Sequence, residues 1–162
     1  MLTLVIPVKK NTTKKSMKGF TLIEVLIVLS IIAILATIVM VSLNPTKQFK
    51  FARDSQRSAH LMSLLNGIGQ NMIDHSGILY CSNVATEVPT VRTNLASVGF
   101  NIANCLVPIY LQNLPFDPSK VGAYYSSAND FDLKYTIEQD PYGHISMYAD
   151  AEGASSTIKV TR

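Results

Sequence analysis

The sequence predicts an α+β fold in which a long N-terminal helix, apolar in its first half and amphipathic in its second, packs on a small C-terminal antiparallel sheet. Three observations predict it. Phe20 to Leu43 is a run of 24 residues without Lys or Arg. Downstream, Phe49, Ala52, Ala59, Leu61, Leu65, Ile68 and Met72 recur at mostly three- and four-residue spacing, the period of a helix with one apolar face. From Phe131 to Glu138 apolar and polar residues alternate without an error, the period of a half-buried strand.

The first 19 residues are a basic preface. Lys9, Lys10, Lys14, Lys15 and Lys18 stand in a segment with no acid, so the positive-inside bias places the N-terminus in the cytoplasm and the C-terminal part outside. Removing residues 1–19 takes five of the 14 basic residues and leaves nine against 11 acids, a balance of −2. That balance does not describe a nucleic-acid surface. Met17-Lys18-Gly19 by itself makes a very short leader, and translation is expected to start at Met17.

As a helix at ~1.5 Å per residue, the run from Phe20 to Leu43 is about 36 Å long, against ~30 Å of hydrocarbon in a bilayer. Its only polar side chains are Thr21, Glu24, Ser30, Thr37 and Ser42. A secretory signal peptide also begins basic and continues apolar, but its apolar core is ~7 to 15 residues and ends at a small-residue cleavage site absent here. The run is therefore expected to cross a membrane and to stay in the chain.

Glu24 is anomalous in such a run. An ionisable side chain at the centre of a membrane helix costs ~2.5 to 3.5 kcal/mol on insertion scales, and less near the interface. The free amides and dipole of a helix N-terminus offset ~0.3 to 1 kcal/mol of this. Glu24 needs a partner or a role, either capping its own helix or pairing with a cation.

The segment Lys18-Gly19-Phe20-Thr21-Leu22-Ile23-Glu24 resembles the N-terminal motif of type IV prepilins and of type II secretion pseudopilins. The resemblance implies a pilin-like α+β fold and cleavage between Gly19 and Phe20 by a prepilin peptidase. The same enzyme, as methyltransferase, would methylate the new N-terminal Phe20. It further implies that Glu24 meets the Phe20 amine of a neighbouring subunit as helices stack into a filament, since a buried ammonium needs a counter-charge. The implied partners are that enzyme, other pilin-like subunits, an inner-membrane assembly platform and membrane lipid, with no nucleic acid. The implied location is the bacterial inner membrane, then a periplasmic or cell-surface filament.

Four segments follow: a leader, 1–19; an assembly helix, 20–43; an amphipathic helix, 44–76; and a loop region with sheet, 77–162. Pro45 removes an amide where the apolar run stops and is expected to kink the helix. Lys47, Lys50, Arg53 and Arg57 form a basic cluster that reads equally as a solvated face or as a contact for anionic lipid or acidic neighbours. Gly77 is a natural stop.

Residues 78–122 read as irregular, punctuated by Pro89, Pro108, Pro115 and Pro118, with short helices expected near Val91–Val98 and Cys105–Gln112. Cys81 and Cys105 are the chain's two cysteines. In an oxidising compartment one bridge of ~3 kcal/mol is the economical reading, with two free buried thiols as the alternative. Three strands are expected near Phe131–Glu138, Ile145–Asp150 and Thr157–Val160, with turns at Gln139–Gly143 and Glu152–Gly153.

Leu111 to Pro118 ahead of Tyr124-Tyr125 is also similar to the C-terminal region of pseudopilins, some of which hold calcium in a nearby loop. Asp117, Asp130, Asp132 and Asp140 have the oxygens for that, yet lack EF-hand spacing and read as turn formers, so no metal ligand and no cofactor is assigned. No nucleophile motif, zinc-protease motif or phosphate-cradling Gly loop is present, and the chain reads as a substrate of enzymes and not as an enzyme. The alternatives are an anchored extracytoplasmic binding domain, or a minor pilin whose head binds DNA or a surface through Arg92, Lys120 and Lys134.

Overall fold

A computed structural model describes residues 19–153 and 157–162. The leader lysines and Met17 lie outside the described residues. The chain divides into two units, one ending at Leu43 and the other spanning Asn44–Arg162.

In the first unit, helix α1 covers Leu22–Leu43 and buries none of its residues. It is long and apolar enough to cross a membrane. Its interior hydroxyls are satisfied locally: Ser30 Oγ donates to the Leu26 carbonyl at 2.8 Å and Thr37 Oγ1 to the Ile34 carbonyl at 2.8 Å. Such back-bonding gives these two hydroxyl donors a partner within the helix before they are desolvated in lipid.

The second unit begins with helix α2, Pro45–Asp74. Asn44, at φ 41°, is its N-cap and accepts from the Lys47 amide, while Pro45 opens the first turn, where its missing N–H costs nothing. Arg57, Leu61, Leu64, Leu65, Ile68 and Asn71 lie on the buried face. The helix stops where Gly77, at φ 92°, turns its N–H back to the Met72 carbonyl at 2.7 Å.

Strands β1, Leu79–Cys81, and β2, Val84–Thr86, form a hairpin whose turn residues Ser82 and Asn83 both have positive φ. The larger sheet takes β3, Thr93–Ala96; β4, Tyr124–Ser127; β5, Asp130–Gln139; β6, Ile145–Asp150; and β7, Thr157–Thr161. A short helix α3, Ala103–Leu106, lies between β3 and β4. The strand order is β3-β5-β6-β7, all antiparallel, with β4 also on β5. The α+β pilin-like arrangement of a long helical N-terminus and a small antiparallel sheet is thus present.

Two local expectations are corrected. Val91–Val98 is not helical: its centre is strand β3, and Leu95 points into the core. The helix expected over Cys105–Gln112 shrinks to α3, because Pro108 forces the preceding Val107 into extended backbone at φ −98°, ψ 135°. With β3 and with β4, a strand not expected at Tyr124–Ser127, the sheet has five strands instead of three.

Central strand β5 buries Phe131, Leu133, Tyr135 and Ile137 against Leu61, Leu64 and Ile68 of α2 and Met147 of β6. Midway along it the neighbour changes, from β4 at Asp132 to β6 at Thr136. Lys134, at φ 59°, sits at this change, and the Leu133 carbonyl accepts from the Asp117 amide at 3.1 Å. The loop carrying Asp117 therefore fills the gap between two partner strands.

Candidate functional site

Gly19 and Phe20 are exposed and outside any helix. A Cβ at Gly19 would meet nothing within 4 Å, and Phe20 is 82% exposed. Thr21 and Glu24 then close on each other: the Thr21 amide reaches Glu24 Oε2 at 3.5 Å, and the Glu24 amide donates to Thr21 Oγ1 at 3.3 Å. This reciprocal pair is a capping box, satisfying two amides that a helix start leaves without partners. It fixes the start of α1 and leaves the Gly19–Phe20 peptide outside it. Glu24 thereby uses Oε2 on its own helix, while Oε1 has no hydrogen-bond partner among the described residues. Sequence reasoning passed over Thr21, although Thr-x-x-Glu ahead of an apolar run is its signal.

The basic cluster divides. Lys47 and Lys50 are exposed, but Arg57 is 1% exposed and sits inside a ring of acids. Arg57 Nε and Nη2 donate to Asp117 Oδ2 and Oδ1 at 2.8 and 3.0 Å, and Nη1 donates to Asp54 Oδ1 at 2.8 Å. Nη2 also donates to Ser119 Oγ at 2.7 Å and to Glu152 Oε1 at 2.6 Å. Arg53 pairs with the same Glu152. The solvated-face and lipid readings therefore fail for Arg57, which α2 turns inward toward acids, while Arg53, a third exposed, is paired with Glu152 at the edge of the same cluster.

Electrostatics follow from those contacts. Burial alone would push the Asp117 carboxyl up, but Arg57 and the amides of Ser119 and Lys120 outweigh it and hold it below the usual range. Asp54 behaves likewise, with the amides of Glu152 and Gly153 and then Arg57 overcoming its desolvation. Arg53, followed by Ser119 and Arg57, holds Glu152 well below the ordinary carboxylate range. A Cβ at Gly153 would lie 2.8 Å from Asp54 Oδ2 and 2.9 Å from the Phe51 ring, so a side chain there would displace both.

The remaining aspartates are also engaged. Asp130 accepts from the Tyr124 hydroxyl at 2.6 Å, Asp132 pairs with Lys134 at 2.5 Å, and Asp140 caps its own turn by accepting the amides of Tyr142 and His144. Among the described residues no three His, Cys, Asp or Glu side chains gather as a metal site.

Cys81 and Cys105 are joined in a disulfide that ties β1 to α3. Buried Asn71 clamps the same junction, donating to the Tyr80 and Cys105 carbonyls and accepting from the Tyr80 amide, each at 2.8 Å. Arg92, Lys120 and Lys134 do converge, lining one cleft of about 250 Å³. Each carries an acid, however: Glu138 at 3.7 Å, Asp150, and Asp132 at 2.5 Å respectively. The cleft is charge-compensated and not an open cationic patch.

A family model described as the prokaryotic N-terminal methylation motif matches residues 14–40, which include Gly19, Phe20, the capping box and most of α1. Searches of curated proteins and of solved structures return no match to this chain. The motif implies processing by a prepilin peptidase and assembly with other pilin subunits, supports a type IV pilin-like or pseudopilin role, and is consistent with a membrane-anchored pilin. Together with the apolar helix that carries it, the motif fits a prepilin-like protein.

Proposed function

We propose that the chain is a structural subunit of a type IV pilus or a type II secretion pseudopilus, two filaments that share this N-terminal chemistry. It is stored as a single-pass membrane precursor with its second unit outside. It is cut between Gly19 and Phe20, methylated at Phe20, and polymerised through α1 on an inner-membrane platform. The observation that carries this reading is the methylation motif placed on a helix with no buried residue. A helix that is apolar all round must find lipid or other helices.

Glu24 has a stated part in this mechanism. The capping box lies entirely downstream of the cut, so it survives processing, and cleavage creates an ammonium on Phe20. With Oε2 kept by Thr21, Oε1 is the oxygen offered to the ammonium of a neighbouring subunit, which sets the axial register of the stack.

Mass spectrometry of the mature N-terminus, in membrane and sheared-surface fractions, tests the proposal. A chain beginning at methylated Phe20 and found in the sheared fraction is expected for a pilus; the same chain in envelope filaments is expected for a pseudopilus. An intact leader confined to the membrane overturns both and favours an anchored binding domain. A Gly19→Leu precursor is expected to remain uncut, and normal processing of it refutes the cleavage assignment.

A further inference from the structure

The start of α2 carries two lysines that the acids of the second unit leave unpaired. Among the described residues neither Lys47 nor Lys50 takes part in an ion pair. With Glu152 and Gly153 they line a cleft of about 430 Å³. The one carboxylate facing that cleft is already held by Arg53, Arg57 and Ser119. The cleft thus keeps two uncompensated ammonium groups.

Aromatic side chains accompany them. Phe49 is 65% exposed, and Phe51, half-exposed, lies 5.7 Å beneath the Lys47 ammonium. Connectivity limits how far this group can lie from the apolar helix: Lys47 follows Leu43, the last residue of α1, by four residues. At no more than ~3.6 Å per residue, the backbone of Lys47 lies within about 15 Å of the end of the apolar helix. Cations and aromatic rings within that reach of a membrane span can enter the headgroup layer, where rings sit at the interface and lysines meet phosphate.

We infer that Lys47 and Lys50, flanked by Phe49 and Phe51, form a docking surface for the phosphate of anionic phospholipid headgroups on the outer face of the membrane. This rests on the reading of α1 as a membrane span. Headgroup contact holds the stored precursor upright at its second unit, and it is broken when the subunit leaves the bilayer for a filament.

The test uses the full chain in lipid vesicles. The sequence contains no Trp, so Phe49→Trp supplies a single reporter that keeps an interfacial aromatic. Vesicles of phosphatidylcholine, with or without roughly 30% phosphatidylglycerol, carry a quencher near the headgroup. Quenching at least about twofold stronger in the anionic vesicles is expected, weakened by salt and abolished by combining Lys47→Gln with Lys50→Gln. Restoration by Lys47→Arg with Lys50→Arg is expected too. Protease protection reports insertion of α1 separately. If α1 is inserted and quenching ignores lipid charge or the two glutamines, the docking surface is overturned alone. If α1 is not inserted, the membrane reading beneath it falls as well.

Discussion

Arg57 and Asp117, 60 residues apart, meet in a two-point ion pair at 2.8 and 3.0 Å with both side chains closed off from solvent. The pair joins α2 to the loop that fills the gap beside β5, so its loss affects helix and sheet together. Arg57→Met is expected to destabilise the second unit by about 3 to 5 kcal/mol, because it strands a buried carboxylate. Chemical denaturation in detergent, followed by circular dichroism, checks this. An unchanged midpoint would show that the pair contributes nothing net.

The same cluster gives a pH dependence. Asp54, Asp117 and Glu152 all have folded pKa values depressed below their unfolded ones. Their contribution is therefore fully present above the unfolded carboxylate range of about 4 and is lost as pH falls through the folded values. Thermal midpoints are expected to ease below about 6.5, where the unfolded chain protonates His60 while burial in the fold disfavours its charged form, and to fall more steeply below about 4, with a shallower acid fall in Glu152→Gln.

Thr21 is expected to set the efficiency of the cut through the capping box. Thr21→Val removes an N-cap worth about 1 kcal/mol and blurs where the helix begins, while Thr21→Ser retains the oxygen. Pulse-chase labelling should show slower leader removal for Val and near-normal removal for Ser. Equal rates for both would mean that the peptidase does not sense the helix start.

Glu24→Val should leave membrane insertion intact and impair filament assembly, since it removes both the cap and the oxygen offered to the Phe20 ammonium. Normal filament abundance, counted in sheared fractions or by electron microscopy, would remove the register argument.

Opening the loop between Cys81 and Cys105, by Cys81→Ser with Cys105→Ser, should lower stability by about 3 kcal/mol on the loop-entropy account. The loss should concentrate at the hairpin and α3, which Asn71 and the Ser82 amide bonded to the Asn104 carbonyl then hold without the covalent tie. Hydrogen exchange across β1 and α3 reports it.

The legible parts of this chain are those written in repeated local patterns. Helix α1 is visible as an unbroken apolar run, α2 as a stripe, and β5 as strict alternation, because each spans enough residues for its period to show. Strand β3 has four residues and only Leu95 buried, too little for alternation to be read, and its partner strand begins 34 residues after its last residue. The acids around Arg57 come from separations of 3, 60 and 95 residues, so sequence shows a basic helix face where the fold has a closed network. The start of α1 was within reach, since Thr21 and Glu24 are three residues apart and need no tertiary knowledge.

Asp54 and Arg57 stand 9 and 12 residues after Pro45, near the point where the second unit is joined to α1. On the proposed filament reading, in which α1 holds the subunit, tension would enter the second unit through this first stretch of α2. It then passes into the loop after β6 through Glu152 and Gly153, whose amides both bond to Asp54. The pull is shared between helix and sheet before it reaches the ladder between β6 and β7, which spares the last strand from being peeled away bond by bond.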